Sequence, residues 1–336
     1  MMKYEMFKEV VKEKFQEYFH DDKDVVKLEF HKVNKINQER DGVTLHRNDG
    51  ESRIAPTLYL QDMYTEYQKT GDLDIVLGKF AVRLQEAAFE AKQHNVEQML
   101  DRDSFRDKVI FQLINTEQNK ETLERVPHRQ FQDLSIIYRW VVDVERNAVA
   151  STLVTNKLME DMKISEEELF TCASINTNKI MPSKVMSMND LMREMFAKDG
   201  MPESVMDQMF DMIPAEQQMY VISNEKQTFG ASALLYEENL HKLAEQLGSD
   251  LYILPSSLHE VIAISTNGHE PEMLAAMVNE INMGTVDLAD RLSNQVYHYD
   301  KNLRKVTMAT DTPNKRLDGV AMNNPEVTVG VKEQVR

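Results

Sequence analysis

Leu251-Tyr252-Ile253-Leu254 constrains this chain more than any other stretch. Four consecutive apolar residues place oily side chains on both faces of a strand, so both faces need cover. That describes an interior sheet strand, and the flanking sequence has to supply the rest of the layer. Residues 219–223 are short, β-branched and aromatic, which predicts a strand. Residues 224–229 are polar and end at Gly230, the chemistry of a hairpin loop, so 231–236 are expected to return as a second strand. Glu237 and Glu238 open a helix, where acids complement the positive end of the helix dipole. Leu240, Leu243, Ala244 and Leu247 recur at helical spacing, and Gly248 stops the run. Pro255-Ser256-Ser257 is turn chemistry, and residues 258–264 alternate as a further strand. A helix over 271–281 follows, with Pro271 in its first turn. The pattern is ββαββα, an antiparallel sheet with helices packed on it.

The half before it is also mixed. Phe7, Val10, Val11, Phe15, Tyr18 and Phe19 mark an amphipathic helix over 4–20. Strands are expected at 25–33, 43–46 and 53–60, with Asp41-Gly42 as a turn. Helices are expected over 62–69 and from Asp72 toward Leu100. Residues 134–145 carry the strongest strand signal of this half, with Arg139 and Asp143 on its less apolar face. Ser165-Glu166-Glu167-Glu168 is a capping box. The architecture read from this is α+β in two mixed lobes. It comprises an N-terminal lobe over 1–180, a Met-rich helical connection over 181–216, the ββαββα lobe over 217–304 and a disordered tail over 305–336.

Charge and composition exclude several functions. A net charge of −17 disfavours direct nucleic-acid or anionic-membrane binding. The single cysteine, Cys172, rules out an internal disulfide or a Cys-based zinc site, and a reducing cytoplasm fits best. No run of about 18 apolar residues offers a membrane span. The chain has no GxGxxG fingerprint, and around Gly71, Gly78 and Lys79 a Phe80 stands where a phosphate loop needs Ser or Thr. The histidines lack metal-ligand spacing, and the Asp21, Asp22, Asp24 turn lacks the glycine and glutamate of a calcium loop. No cofactor is expected.

Two stretches carry candidate sites. Ser256 and Ser257 with His259 and Glu260 would suit a serine activated by an imidazole in a hydrolase-like enzyme. Strand geometry at 258–264 opposes it, since His259 and Glu260 then point to opposite faces; turn hydroxyls bonding backbone amides are the plainer reading. Met192, Met195 and Phe196, then Met206, Met209, Met212 and Ile213, form two apolar helical stripes. Methionine is flexible and polarizable and suits adaptable partner grooves, against the plainer role of core filling. A nucleic-acid mimic is a third reading of the acidity, but the 56 acids are interspersed with 39 bases in no long run.

Several segments together resemble a domain of unknown function common in anaerobic Firmicutes and often met near mobile elements. They are Ile54-Ala-Pro-Thr-Leu-Tyr-Leu, Met63-Tyr-Thr-Glu-Tyr, Leu134-Ser-Ile-Ile-Tyr-Arg-Trp and Ser165-Glu-Glu-Glu-Leu-Phe, continuing with Gly230-Ala-Ser-Ala-Leu-Leu-Tyr and Leu251-Tyr-Ile-Leu-Pro-Ser-Ser-Leu-His-Glu-Val. The resemblance spans residues 3–304 and implies a shared fold and an accessory role in a mobile element, without an assigned activity. The resulting expectation is a cytoplasmic, non-enzymatic accessory protein that contacts an unknown protein partner.

Overall fold

Apolar residues repeating every third or fourth place from Phe7 onward need a common core, and the first of two compact units, 1–107, provides it. The computed structural model describes residues 2–19, 25–47, 55–93, 102–144, 149–210, 217–255 and 257–319. Helix α1 (Tyr4–Lys14) tightens into a 3-10 turn at Phe15–Phe19. Strands β1 (Val25–Lys35), β2 (Gln38–Arg47) and β3 (Thr57–Tyr59) form a three-stranded antiparallel sheet. The hairpin turns at Ile36-Asn37, where Asn37 takes φ 65°, and not at Asp41-Gly42, which lies inside β2. Asparagine tolerates the left-handed region, which gave this turn its residue. Helices α2 (Leu60–Thr70), α3 (Leu73–Gln93) and α4 (Arg102–Asp107) follow. Phe7, Val11, Phe15, Met63, Leu77 and Leu84 are buried together.

The second unit, 108–336, holds two sheets. Strand β4 (Val109–Asn115), helix α5 (Lys120–Leu123) and strands β5 (His128–Phe131), β6 (Leu134–Val144) and β7 (Val149–Leu153) come first. β6 sits centrally and pairs with β4, β5 and β7. Helices α6 (Asn156–Asp161) and α7 (Glu166–Ile180) follow, the latter opened by the Ser165/Glu168 capping box read in the sequence. Arg129 lies on β5 and clasps Glu166 with its Nε at 2.7 Å and Nη2 at 2.9 Å. Burial pushes Glu166 up, but the bonds from Arg129 and Tyr138 outweigh it and hold the carboxyl below its usual range.

The six-stranded antiparallel sheet contains the stretch that opened the sequence reading. Its strands are β8 (Ser183–Ser187), β9 (Tyr220–Asn224), β10 (Leu251–Leu254), β11 (Val261–Ser265), β12 (Tyr297–Asp300) and β13 (Lys305–Met308). The spatial order is β13-β12-β10-β11-β9-β8, so β10 is interior as its composition requires. Helices α8 (Met188–Lys198) and α9 (Glu203–Phe210) follow β8; α10 (Glu237–Leu247) precedes β10; α11 (Pro271–Gly284) follows β11. Leu274, Ala275 and Val278 of α11 pack on Leu254 and Ile264, each large apolar side chain contributing roughly 1.5–3 kcal/mol on full burial. Gly248 ends α10 at φ 67°, and Pro271 stands in the first turn of α11, both as read.

Three sequence expectations need correction here. Residues 231–236 are not a strand: Gly230–Leu235 is a 3-10 helix laid against β9 and β11. Its small side chains allow that close approach, and Phe229 enters it at φ 52°, a turn no extended strand makes. The boundary at 180/181 and the connection over 181–216 fall inside one unit, because residues 183–187 are a strand paired with β9. The tail does not begin at 305: Lys305–Met308 pairs with β12, and Leu317 is fully buried.

Asp133, in the β5–β6 turn, links this unit's two sheets. Its carboxylate accepts from Ser293 Oγ at 2.6 Å and from the fully buried Tyr297 hydroxyl at 2.5 Å. Burial raises the Asp133 pKa, and the two hydroxyl bonds offset only part of that rise. The unfolded chain ionises this group at its ordinary 3.8, the folded chain at the raised value. Its contribution to stability is therefore full below 3.8 and is lost as pH rises through the folded pKa. Asp133→Asn is expected to lack that slope. Urea midpoints for both proteins across about pH 4 to 7 measure it. Parallel curves would place the slope elsewhere.

Candidate functional site

The two edges of the six-stranded sheet are treated differently. In an antiparallel pair, backbone groups alternate between facing the neighbour strand and facing away. At the ends of the β8–β9 ladder, the Met188 N–H donates to the Met219 carbonyl at 2.8 Å, and the Glu225 N–H to the Pro182 carbonyl at 3.0 Å. With Val185 opposite Ile222 and Ser187 opposite Tyr220, this parity turns Lys184 and Met186 toward β9. The backbone groups of Ser183, Val185 and Ser187 face outward. The Ser183 N–H is taken by Asn178 Oδ1 at 2.8 Å. The Ser187 carbonyl belongs to the first turn of α8, whose N-cap Ser187 is. Two carbonyls, of Ser183 and Val185, and two N–H groups, of Val185 and Ser187, remain on the outer edge. Among the described residues, those two N–H groups have no hydrogen-bond acceptor.

The β13 edge is capped at one carbonyl. The Ala309 N–H donates to the Val296 carbonyl at 2.8 Å, which turns Val306 outward. Its carbonyl accepts from Gln132 Nε2 at 3.0 Å. An exposed Lys305 on the same strand further discourages pairing.

A cleft of about 1260 Å³ runs along β8, between α8 and α10. Lys184, Arg193 and Lys242 line it against Asp190 and Glu194. This nearly balanced lining sits on a chain of net charge −17. Burial, with Asp190 adding to it, raises the Tyr220 hydroxyl, which donates to Gln218 Oε1 at 3.2 Å at the cleft wall.

The Met-rich segment forms a helical hairpin beside this cleft. Phe196 and Phe210 stack at 6.2 Å, and Arg193 Nη1 pairs with Asp207 at 2.6 Å. Met206 and Phe210 are buried, while Met192 and Phe196 are half-buried. Met195 and Met209 are exposed at 53% and 49%, so both helices still present apolar surface. Met212 lies outside the described residues.

Of the serine–histidine candidate, the structure describes Ser257 and His259. Ser256 lies outside the described residues. Ser257 is buried, and its hydroxyl accepts from the backbone N–H of His259 at 3.0 Å. His259 Nε2 faces Asp290 Oδ1 at 3.3 Å, and its buried Nδ1 has no partner among the described residues. Strand β11 starts at Val261, so His259 and Glu260 belong to the turn and not to the expected strand. The Ser257 hydroxyl thus meets a backbone amide, and the imidazole meets a carboxylate.

A second group of residues surrounds Phe229. Its ring stacks on His259 at 6.5 Å, and the Arg139 guanidinium lies 4.8 Å from its centroid. Arg139 donates to Ser151 Oγ at 2.8 Å, to the Ser151 carbonyl at 2.9 Å and to Gln112 Oε1 at 3.2 Å, all neutral acceptors. Burial alone lowers its pKa to about 10. The Asp143 side chain considered beside it lies outside the described residues. Arg139 thus reads as a half-buried, cross-strand-bonded group that seats Phe229. Among the described residues, no three His, Cys, Asp or Glu side chains gather for a metal ion, and no helix is long and apolar enough to cross a membrane.

Sequence reasoning missed Val185 and Ser187. The signal was the five-residue stretch Ser183-Lys184-Val185-Met186-Ser187 between Pro182 and a helix cap, short enough to pass for linker.

Fold and site define an α+β protein whose C-terminal unit carries an antiparallel sheet with its β8 edge in a cleft. The chain belongs to the family of unknown function DUF5688, whose model matches residues 4–301. No curated protein and no solved structure matches the chain.

Proposed function

We propose that this protein is a non-catalytic accessory protein that works through protein–protein contacts, with an extended segment of the partner lying along β8. The open edge of β8 carries this reading. Its two donors and two acceptors match one added strand, and main-chain bonds of that kind supply affinity irrespective of side chains. Exposed Met195 and Met209 beside the cleft supply adaptable apolar contact. The near-balanced lining suits a partner strand without strong charge. A cytoplasmic setting, favoured by the single cysteine, and a mobile-element role, implied by the family resemblance, complete the reading.

Amine-reactive cross-linking of the full chain with its captured partner tests it. Partner cross-links are expected to concentrate on Lys184 and Lys242, the two cleft lysines. They are expected to thin out in a Met195→Glu, Met209→Glu double variant. Cross-links confined to lysines of the 1–107 unit, or insensitive to those substitutions, would overturn the assignment of this face.

A further inference from the structure

We infer that helix α3 is a self-association surface, on which the α3 helix of a second copy of this chain packs antiparallel about Val82. One face of α3 is buried in the first unit through Val76, Leu77, Phe80, Ala81, Leu84 and Ala88. The opposite face carries a second apolar stripe. Ile75, Val82 and Phe89 recur every seventh residue and are exposed at 60%, 53% and 64%. At 3.6 residues per turn they stay within about 40° of one another and stand about 10 Å apart. β-branched residues lower helix propensity, so Ile75 and Val82 contribute less to the helix itself than lysine or glutamate would. A seven-residue apolar repeat is the pattern by which one helix receives another.

Charge identifies the second helix. Lys79 and Glu86 are both exposed, are also seven residues apart, and share one flank of the stripe. A twofold axis through Val82 brings that flank against its own copy. Lys79 lies three residues before Val82 and Glu86 four after it. Lys79 of each copy therefore comes within about 1.5 Å of the level of Glu86 of the other. The same axis seats Ile75 on Phe89 of the second copy and Val82 on itself. A parallel copy would set Lys79 level with Lys79 and Glu86 level with Glu86.

Within the chain, Lys79 donates to Glu66 of α2, and that bond, with charge from Lys69 and Arg83, holds the Glu66 carboxyl below its usual range. Lys79 and Arg83 thus share one acid of their own chain, and Glu86 of the second copy supplies another. Net charge opposes the pairing only weakly. Residues 1–107 hold 22 Asp and Glu against 17 Lys and Arg, a net of −5 out of the chain's −17. Salt near 0.15 M screens charges beyond about 8 Å. Three apolar residues per copy make a small core, so the pairing is weak.

Sedimentation of the full chain over about 1–100 μM tests the inference. The natural sequence is expected to shift from monomer to dimer across that range. Val82→Glu sets two carboxylates face to face at the axis and is expected to stay monomeric. A melting curve checks that this variant stays folded; if it does not, the charge variants decide. Glu86→Lys is expected to weaken the dimer at least about tenfold. Adding Lys79→Glu to it reverses both charges and is expected to restore most of the affinity, which a role of either side chain within one copy would not produce. A monomer at every concentration, or a double variant no tighter than Glu86→Lys alone, overturns the inference. A dimer indifferent to Val82→Glu also overturns it; if Val185→Pro then removes that dimer, the second copy sits on β8.

Discussion

Gly230→Ala is expected to cost the C-terminal unit roughly 3 kcal/mol or more, enough to deplete folded protein. A methyl group at this position would stand 2.2 Å from the His259 carbonyl oxygen, 2.2 Å from Ser223 Oγ and 3.0 Å from the Asn224 nitrogen. Two of those atoms are backbone and cannot swing aside. Moving them breaks the Ser223–His259 bond and parts the 3-10 helix from β9, the strand on which β8 pairs. Gly284→Ala is the control. Nothing lies within 4 Å of its added methyl, and the residue closes helix α11, so alanine's better helix propensity should leave stability unchanged or raised by up to about 1 kcal/mol. Denaturant unfolding of both variants measures the contrast. Equal midpoints would show that the turn around Gly230 relaxes more freely than its packing implies.

Val185→Pro is expected to weaken partner capture at least about tenfold, equivalent to about 1.4 kcal/mol, with little change in stability. The Val185 N–H faces away from β9, so a proline there removes no ladder bond within the sheet. It does remove one of the two donors at the open edge and places a ring where an added strand would lie. Met186→Pro is the opposite case: its N–H belongs to the β8–β9 ladder, and its loss should lower thermal stability and capture together. Titration of the purified partner, alongside thermal melts, separates the two effects. Full capture by Val185→Pro would eliminate strand addition as the docking mode.

Much of the second unit was legible before any coordinates. The β10 strand, the Gly248 stop, the Ser165 capping box and the Pro271 start all follow from side chains acting on their own few neighbours. The 231–236 stretch was misread because its small residues suit either a strand or a tight helix. Contact with the His259 carbonyl, 29 residues on from Gly230, decided between them. The Arg129 clasp on Glu166 was hidden for a similar reason, since the two meet only when α7 packs on the β4–β6–β5 sheet. The Met-rich stripes were visible as amphipathic helices. Which methionines face outward depended on the Phe196–Phe210 stack that closes the hairpin.

Hydrophobic patterning by itself determined that this chain is α+β, that residue 252 lies in an interior strand and that Met-rich helices would lie within 181–216. Those features depend on periodicity and burial, which local sequence encodes. Only the tertiary structure decided that 183–187 is a sheet edge and that Val185 and Ser187 face outward from it. Backbone polarity is the same for every residue, so no side chain announces which N–H groups stay open; the register against β9 does.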